Sequence, residues 1–353
     1  MNLDQIPTPA ARALLSPPPI GGSAEIAPGV RWLRLGLPVA LDHVNLWALA
    51  DGPGWTIVDT GIHHPGGIEA WERILQNDLA GRPVTRVVVT HMHADHAGMA
   101  GWLVERFSCQ LWITRSEYLS AQALVASSGE EPAFRDLYRK AGWQTPEIAA
   151  LGARKRTIAG FYAPLPGSIR RLRDSDALDI GGKRWTVIAG GGHSPEHACL
   201  HCPELGLLIS GDKVLPGISS NISVDPAEPD GDPLGEWFAT LAAIRGRVPD
   251  NVLVLPSHGR CFDGLHARID ALVDEQREAL KQLDAILDQP RRVDEVFGVL
   301  FKRTINRSDI PLMGLATGEA LAVLNHLVTA GKVQRWMGED GVMLYQRAGH
   351  TSA

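Results

Sequence analysis

Two textures divide the chain. Up to about residue 264, short and strongly apolar runs are cut off by glycines and polar residues; beyond it, apolar positions recur at helical spacing. In the first texture "VRWLRLGL" and "WTIVDTG" read as strands rich in β-branched and aromatic residues, separated by the turn signal "DGPGW". "GGIEAWERILQNDLAG" sets Ile68, Trp71, Ile74 and Leu75 at helical spacing, with Gly81 past its end, and predicts a helix. "VTRVVVTH" is a continuous apolar run of the kind buried on both faces of a sheet. A helix over about 99–107 and the strand "CQLWIT" follow, so strands and helices interleave as in a layered α/β core. Residues 116–165 read as a mainly helical insertion; of its aromatics, Phe134, Tyr138, Phe161 and Tyr162 are candidate walls of a capped pocket. Strands resume with "KRWTVIAG", "ACLHC", "LGLLISGD" and "NVLVLPSHG".

The second texture opens with "HARIDALVDEQREALKQLDAILDQP", a long amphipathic helix stopped by Pro290. "TGEALAVLNHLVTAG" predicts another helix, and "KVQRWMGEDGVMLYQR" a hairpin around Gly-Glu-Asp-Gly. Residues 265–353 are therefore expected to form a small helical, winged-helix-like domain. Its helix around Glu319 and His326 has no Lys or Arg, so packing or a homodimer contact fits it better than DNA reading. The proline-rich residues 1–28 predict an extended N-terminal arm, which leaves 29–264 as the main domain.

Composition narrows the class. With 353 residues, 44% of them hydrophobic, the chain can bury a large core. No basic start precedes an apolar run, and no stretch reaches the ~18 uninterrupted apolar residues of a membrane span, so the expectation is a soluble, cytoplasmic protein with no membrane partner. A formal charge of -6 disfavours gripping a nucleic-acid backbone. The basic runs "ARKR" (153–156) and "RRLR" (170–173) read as solvated loops. Four cysteines are too few for a disulfide framework, and the single C-x-x-C of Cys199 and Cys202 lacks the second pair of a zinc ribbon.

The chemistry concentrates in "RVVVTHMHADHAGMAGWL". His91 and His93 lie two apart after a strand, where both imidazoles can face one ion, while Asp95 and His96 can face a second. Crowding such ligand types is costly unless a cation offsets their desolvation. Other apolar strands also end in isolated polar residues: His193 after "VIAGGG", Asp212 after "LLISG" and His258 after "VLVLPS". Imidazoles and carboxylates on four strand ends suit divalent metals of the zinc type.

In these residues the chain resembles the metallo-β-lactamase-fold hydrolases over roughly 30–264. The resemblance implies an αββα sandwich of two mixed sheets flanked by helices. It implies that His91, His93 and His193 hold one metal, that Asp95, His96 and His258 hold a second, and that Asp212 bridges both. Asp59 of "IVDTG" would orient a ligand histidine; His43 and His197 are further candidates for support or substrate contact. Zinc is the expected metal, with iron or manganese as alternatives. Two divalent ions bring four positive charges, and Asp95, Asp212 and a bridging hydroxide remove three, which leaves roughly +1 to attract an anionic small molecule. Such a centre would hydrolyse an ester, thioester or lactone, with Asp95 and Asp212 the catalytic carboxylates. An endoribonuclease or phosphodiesterase of the same fold, and a metal-containing nucleic-acid-binding regulator, are the alternatives. Antibiotic-hydrolysing members of the fold carry Cys or Ser at the position of Asp212, which argues against that activity here.

Overall fold

Alternation within each strand decides how the layers form. The computed structural model describes residues 16–38 and 41–349. One sheet runs in chain order through β1 (Gly22–Ala27), β2 (Val30–Gly36), β3 (His43–Asp51), β4 (Gly54–Val58), β5 (Val84–Val88), β6 (Gln110–Thr114) and β7 (Arg170–Leu172). Pairing is antiparallel from β1 to β4 and parallel from β4 to β7. The second sheet is built from β8 (Ala177–Ile180), β9 (Lys183–Gly190), β10 (His197–Cys202), β11 (Leu207–Gly211) and β12 (Leu253–Pro256), in the order β12-β11-β10-β9-β8, with only β11 and β12 parallel.

Because successive side chains point to opposite faces, each strand feeds two cores. Trp32, Trp47, Leu49, Val58 and Val88 fill the gap between the sheets, where they meet Trp185, Val187, Leu200, Ile209 and Leu255. Their neighbours Leu33, Leu46, Ala48, Ile57 and Val87 point the other way. There they pack against α1 (Pro65–Arg73) and α3 (Ala100–Phe107), with the one-turn α2 (Ala94–Ala97) between. The insertion forms α4 (Arg115–Ala126), α5 (Pro132–Lys140) and α6 (Thr145–Ala159). On the second sheet Ile188, Cys199, Leu208 and Val254 face α7 (Pro233–Arg247) and α8 (Leu265–Ile286). Helix, sheet, sheet and helix make the expected αββα sandwich.

The remaining helices, α9 (Phe297–Leu300) and α10 (Ile310–Thr329), are followed by the hairpin β13 (Val333–Met337) and β14 (Met343–Arg347), which closes around the predicted turn. Met313, Ala316, Ala320 and Leu324 of α10 share one core with Trp237 of α7 and Trp143 of the insertion. Trp143 Nε1 donates to Thr317 Oγ1 at 3.0 Å. The helix without Lys or Arg is thus a packing helix.

Several expectations change. Of the arm over 1–28, residues 1–15 lie outside the described residues, and Gly22–Ala27 is the edge strand β1, paired with β2. The basic run 153–156 lies in α6, and 170–173 begins as β7, so neither is a free loop. The first predicted helix ends in a π-helical turn, Ile74–Asp78. Helix α7 had no counterpart in the sequence reading; Asp232 caps it, Oδ1 accepting from Gly235 N at 2.8 Å, with Pro233 as its first residue.

Candidate metal centre

Four strand ends deliver the predicted ligands. The chain after β5 carries His91, His93, Asp95 and His96; β9 is followed by His193, β11 by Asp212 and β12 by His258. They converge. His91 Nε2 lies 2.9 Å from His93 Nδ1 and 3.3 Å from His193 Nε2. Asp95 Oδ2 lies 3.5 Å from His96 Nε2 and 3.4 Å from His258 Nε2. Asp212 stands between the two groups: Oδ2 is 3.5 Å from His193 Nε2, 4.0 Å from His91 Nε2 and 3.6 Å from His96 Nε2, and Oδ1 is 3.5 Å from His258 Nε2.

These residues fit metal ions. Ligand atoms held tetrahedrally at about 2.0–2.2 Å from one ion are roughly 3.3–3.6 Å apart, close to the spacing within each group. His96 Nε2, His258 Nε2 and Asp212 Oδ1 are buried and have no hydrogen-bond partner, which a protein interior rarely tolerates without something to coordinate. Burial pushes His93 down to about 3 and His91 well below its ordinary value. Around the second, positive charge is in demand: although burial opposes it, Asp212 and Asp95 push His258 up to about 10. A divalent cation answers the same field.

The outer partners of the histidines set which nitrogen faces inward. A carbonyl or carboxylate can only accept, so the Nδ1 it meets carries the proton and Nε2 keeps its lone pair for an ion. His193 Nδ1 donates to Asn221 O at 2.7 Å, His258 Nδ1 to His43 O at 2.8 Å, and His96 Nδ1 to Asp59 Oδ2 at 2.8 Å. Asp59 is fully buried at φ 60°, a left-handed conformation that Asp tolerates better than most residues. Its other oxygen accepts Thr90 N at 2.8 Å, so one carboxylate ties the end of β4 to the ligand loop.

The structure places both further candidate histidines behind the ligands. His197 is buried, stacks on His91 at 4.9 Å, and accepts Asp212 N at 3.1 Å through Nε2. His43 accepts Gly259 N at 3.0 Å and holds His258 through its carbonyl. Gly211, at φ 54°, lets the chain turn against His197, where any Cβ would collide with the ring.

Two supporting residues escaped the sequence reading. Glu117, buried in the first turn of α4, accepts Met92 N at 2.7 Å, Ser194 Oγ at 2.6 Å and Glu196 N at 2.7 Å, joining the His91–His93 loop to the His193 loop. Lys213, fully buried, donates to Gly190 O at 3.1 Å and Gly191 O at 2.7 Å; burial pushes it down to about 8. A lone Glu on a helix resembles a solvated residue, and the only hint for Lys213 is its place beside Asp212 in "LLISGDKV". The predicted pocket walls divide: Phe134 and Tyr138 line a cavity of about 630 Å³, while Tyr162 donates its hydroxyl to Met92 O and Phe161 packs against the core beneath the first sheet.

A family model described as the metallo-beta-lactamase superfamily matches residues 39–258, and one described as the metallo-beta-lactamase-like C-terminal domain matches 280–348. A solved β-lactamase domain protein from Burkholderia ambifaria is 39% identical, with a TM-score of 0.87 over 98% of this chain and 99% of its own. The probable metallo-hydrolase YqjP of Bacillus subtilis is 29% identical over 277 residues, 73% of this chain and 80% of that protein. An acyl-coenzyme A thioesterase of Homo sapiens is 25% identical over 248 residues, 67% of this chain and 81% of that one. With the matched model spanning more than half of the chain and the His/Asp groups converging as they do, the chain belongs to the metallo-beta-lactamase superfamily, as a metal-dependent hydrolase of that fold.

Proposed function

We propose that this protein is a two-metal hydrolase of acyl thioesters, with zinc as the preferred ion and related esters or lactones as slower substrates. The observation that carries the reading is Asp212, whose two oxygens lie within 4.0 Å of imidazole nitrogens in both groups. His91, His93 and His193 would hold one ion, Asp95, His96 and His258 the other, and Asp212 both. When bound, such a pair supplies an activated water near neutral pH and a counter-charge for the developing oxyanion.

The chain's own residues supply the rest. Asp95 is the more open of the two candidate ligand carboxylates, its side chain 24% exposed against 9% for Asp212, and would orient the attacking water. Although burial alone would raise it, His96 and His258 hold its carboxyl well below the usual range, so it stays ionised. Two buried proton donors that adjoin the ligand loops are already engaged: Tyr162 donates to Met92 O, and Lys213 to two glycine carbonyls. A leaving group that departs without a proton is therefore favoured, and a thiolate, with a parent pKa of about 8.5, does so far more readily than an alkoxide. The thioesterase relative supports the same substrate class.

The approach argues against nucleic acid. Asp225, Glu228, Asp232 and Glu236 line a pocket of about 430 Å³ beside His93 and His193, and four carboxylates there would repel a phosphate backbone. The test is a panel of acyl thioesters, p-nitrophenyl esters, lactones and bis-p-nitrophenyl phosphate with the purified protein. Thioester cleavage should be the fastest, be abolished by a chelator and return with zinc. Asp212→Ala should lose both metal and at least about a hundredfold in rate, as expected when charge stabilisation is removed. Full activity after complete metal removal, or preferential phosphodiester cleavage, would overturn the reading.

A further inference from the structure

A second cavity, of about 630 Å³, adjoins the metal mouth and plays no part in the chemistry above. Its walls come from α4, α5 and α6, from the loop at 223–227 and from the start of α10. It shares Met92, Ser223, Asp225 and Pro226 with the pocket that contains His93 and His193. Met92 sits between two ligand histidines, its backbone held at both ends by Glu117 and Tyr162. Its unbranched side chain is thus the adaptable part of the partition.

Resting on the hydrolase reading, we infer that this cavity receives the apolar acyl chain of the thioester, which enters past Met92 while the carbonyl stays at the metals. The lining is apolar where a chain would lie, with Leu124, Phe134, Leu151, Ile158 and Leu315. The charged residues among the walls are largely occupied: Glu131 accepts from Ser127 Oγ at 2.7 Å and Ser128 N at 2.8 Å and pairs with Lys155 at 3.4 Å, and Asp225 accepts Ala227 N at 2.7 Å. A volume of this size is typical of a small-molecule site. The acidic neighbouring pocket disfavours a polyanion and leaves the apolar cavity as the place for the part of the substrate that gains most from leaving water.

The experiment measures kcat/KM for a series of saturated N-acetylcysteamine thioesters from acetyl to decanoyl, so that only the acyl chain changes. A buried methylene should raise the value about fourfold per step until the cavity is full. Leu315 is 52% exposed and Ala123 is exposed, so Leu315→Asp and Ala123→Trp alter the cavity without disturbing the core. Each should cut the decanoyl-to-acetyl ratio by about tenfold or more. Binding of a dansyl-labelled fatty acid to metal-free protein, followed by fluorescence, gives a readout independent of turnover and should weaken in both variants. A flat chain-length series in the parent protein, or ratios and probe binding unchanged by the substitutions, overturns the inference. If no thioester is cleaved yet the probe binds and is lost in the variants, the hydrolase reading fails and the assignment of the cavity to an apolar chain stands.

Discussion

Asp59 and Glu117 each place a buried carboxylate where several donors meet, and each therefore makes a different kind of prediction. Asp59 acts on one ligand: its Oδ2 fixes His96 Nδ1 at 2.8 Å. Asp59→Asn keeps the size and tolerance of the left-handed backbone but offers a single acceptor where two are used. Zinc affinity, measured by competition with a chromophoric chelator, should fall about 10–100-fold; unchanged affinity would show that His96 is oriented by other contacts. Glu117 acts on the loops instead. Burial raises its pKa, and three donors are left stranded when its carboxylate is removed. Glu117→Ala should cost on the order of 3 kcal/mol in urea unfolding, with Glu117→Gln recovering part of it by restoring one acceptor.

Helix α10 shows how a packing element reaches a metal site without touching it. Gly318 accepts Val224 N at 3.2 Å, and its missing Cβ leaves room for Ser223. Glu319 Oε2 accepts Asn221 Nδ2 at 3.1 Å, and the Asn221 carbonyl in turn orients His193. The helix is long and apolar enough by composition to cross a membrane, and 67% of that window is buried in this fold, which accounts for its apolarity. Glu319 is the exception on it. Burial, aided by Glu275 and opposed by the Asn221 hydrogen bond, pushes its carboxyl up to about 7 from 4.5. Between those values the folded state retains a proton that the unfolded state releases, so stability falls as pH rises through the window and levels off above it. Glu319→Gln should remove this dependence, making the protein more stable than the parent at pH 8 by on the order of 1–3 kcal/mol, with the gap closing near pH 5. Thermal melts across that range read it directly; a constant gap at all pH values would show that Glu319 titrates normally.

At the scale of the whole molecule the site is a joint, since its ligands come from both sheets and an ion that binds only the folded arrangement stabilises all of it. Zinc at about a hundred times its dissociation constant should add about 2.7 kcal/mol to folding. Chelator-treated protein should melt lower and recover on zinc addition, and Asp212→Ala should show a blunted response. Much of this arrangement was legible beforehand because it is local. The run from His91 to His96 is contiguous, and the strands that deliver His193, Asp212 and His258 declare themselves as apolar runs ended by small or polar residues. The supporting groups are not local: Ser194 reaches Glu117 across 77 positions, and Asn221 reaches Glu319 across 98. Helix α7 did carry a local signal that went unread, since Leu234, Trp237, Leu241 and Ile244 recur at helical spacing along one face. Residue chemistry and periodicity by themselves determined the layers and the gathering of His and Asp at strand ends that gives the site its metal-binding character, because a strand end can present its side chain wherever the sheet is placed; the division of those residues between two ions came from the family resemblance. Which buried charge meets which donor, which aromatics line the cavity and how the last helix braces His193 were decided only when the layers stacked, because those contacts depend on distances between segments that no local pattern encodes.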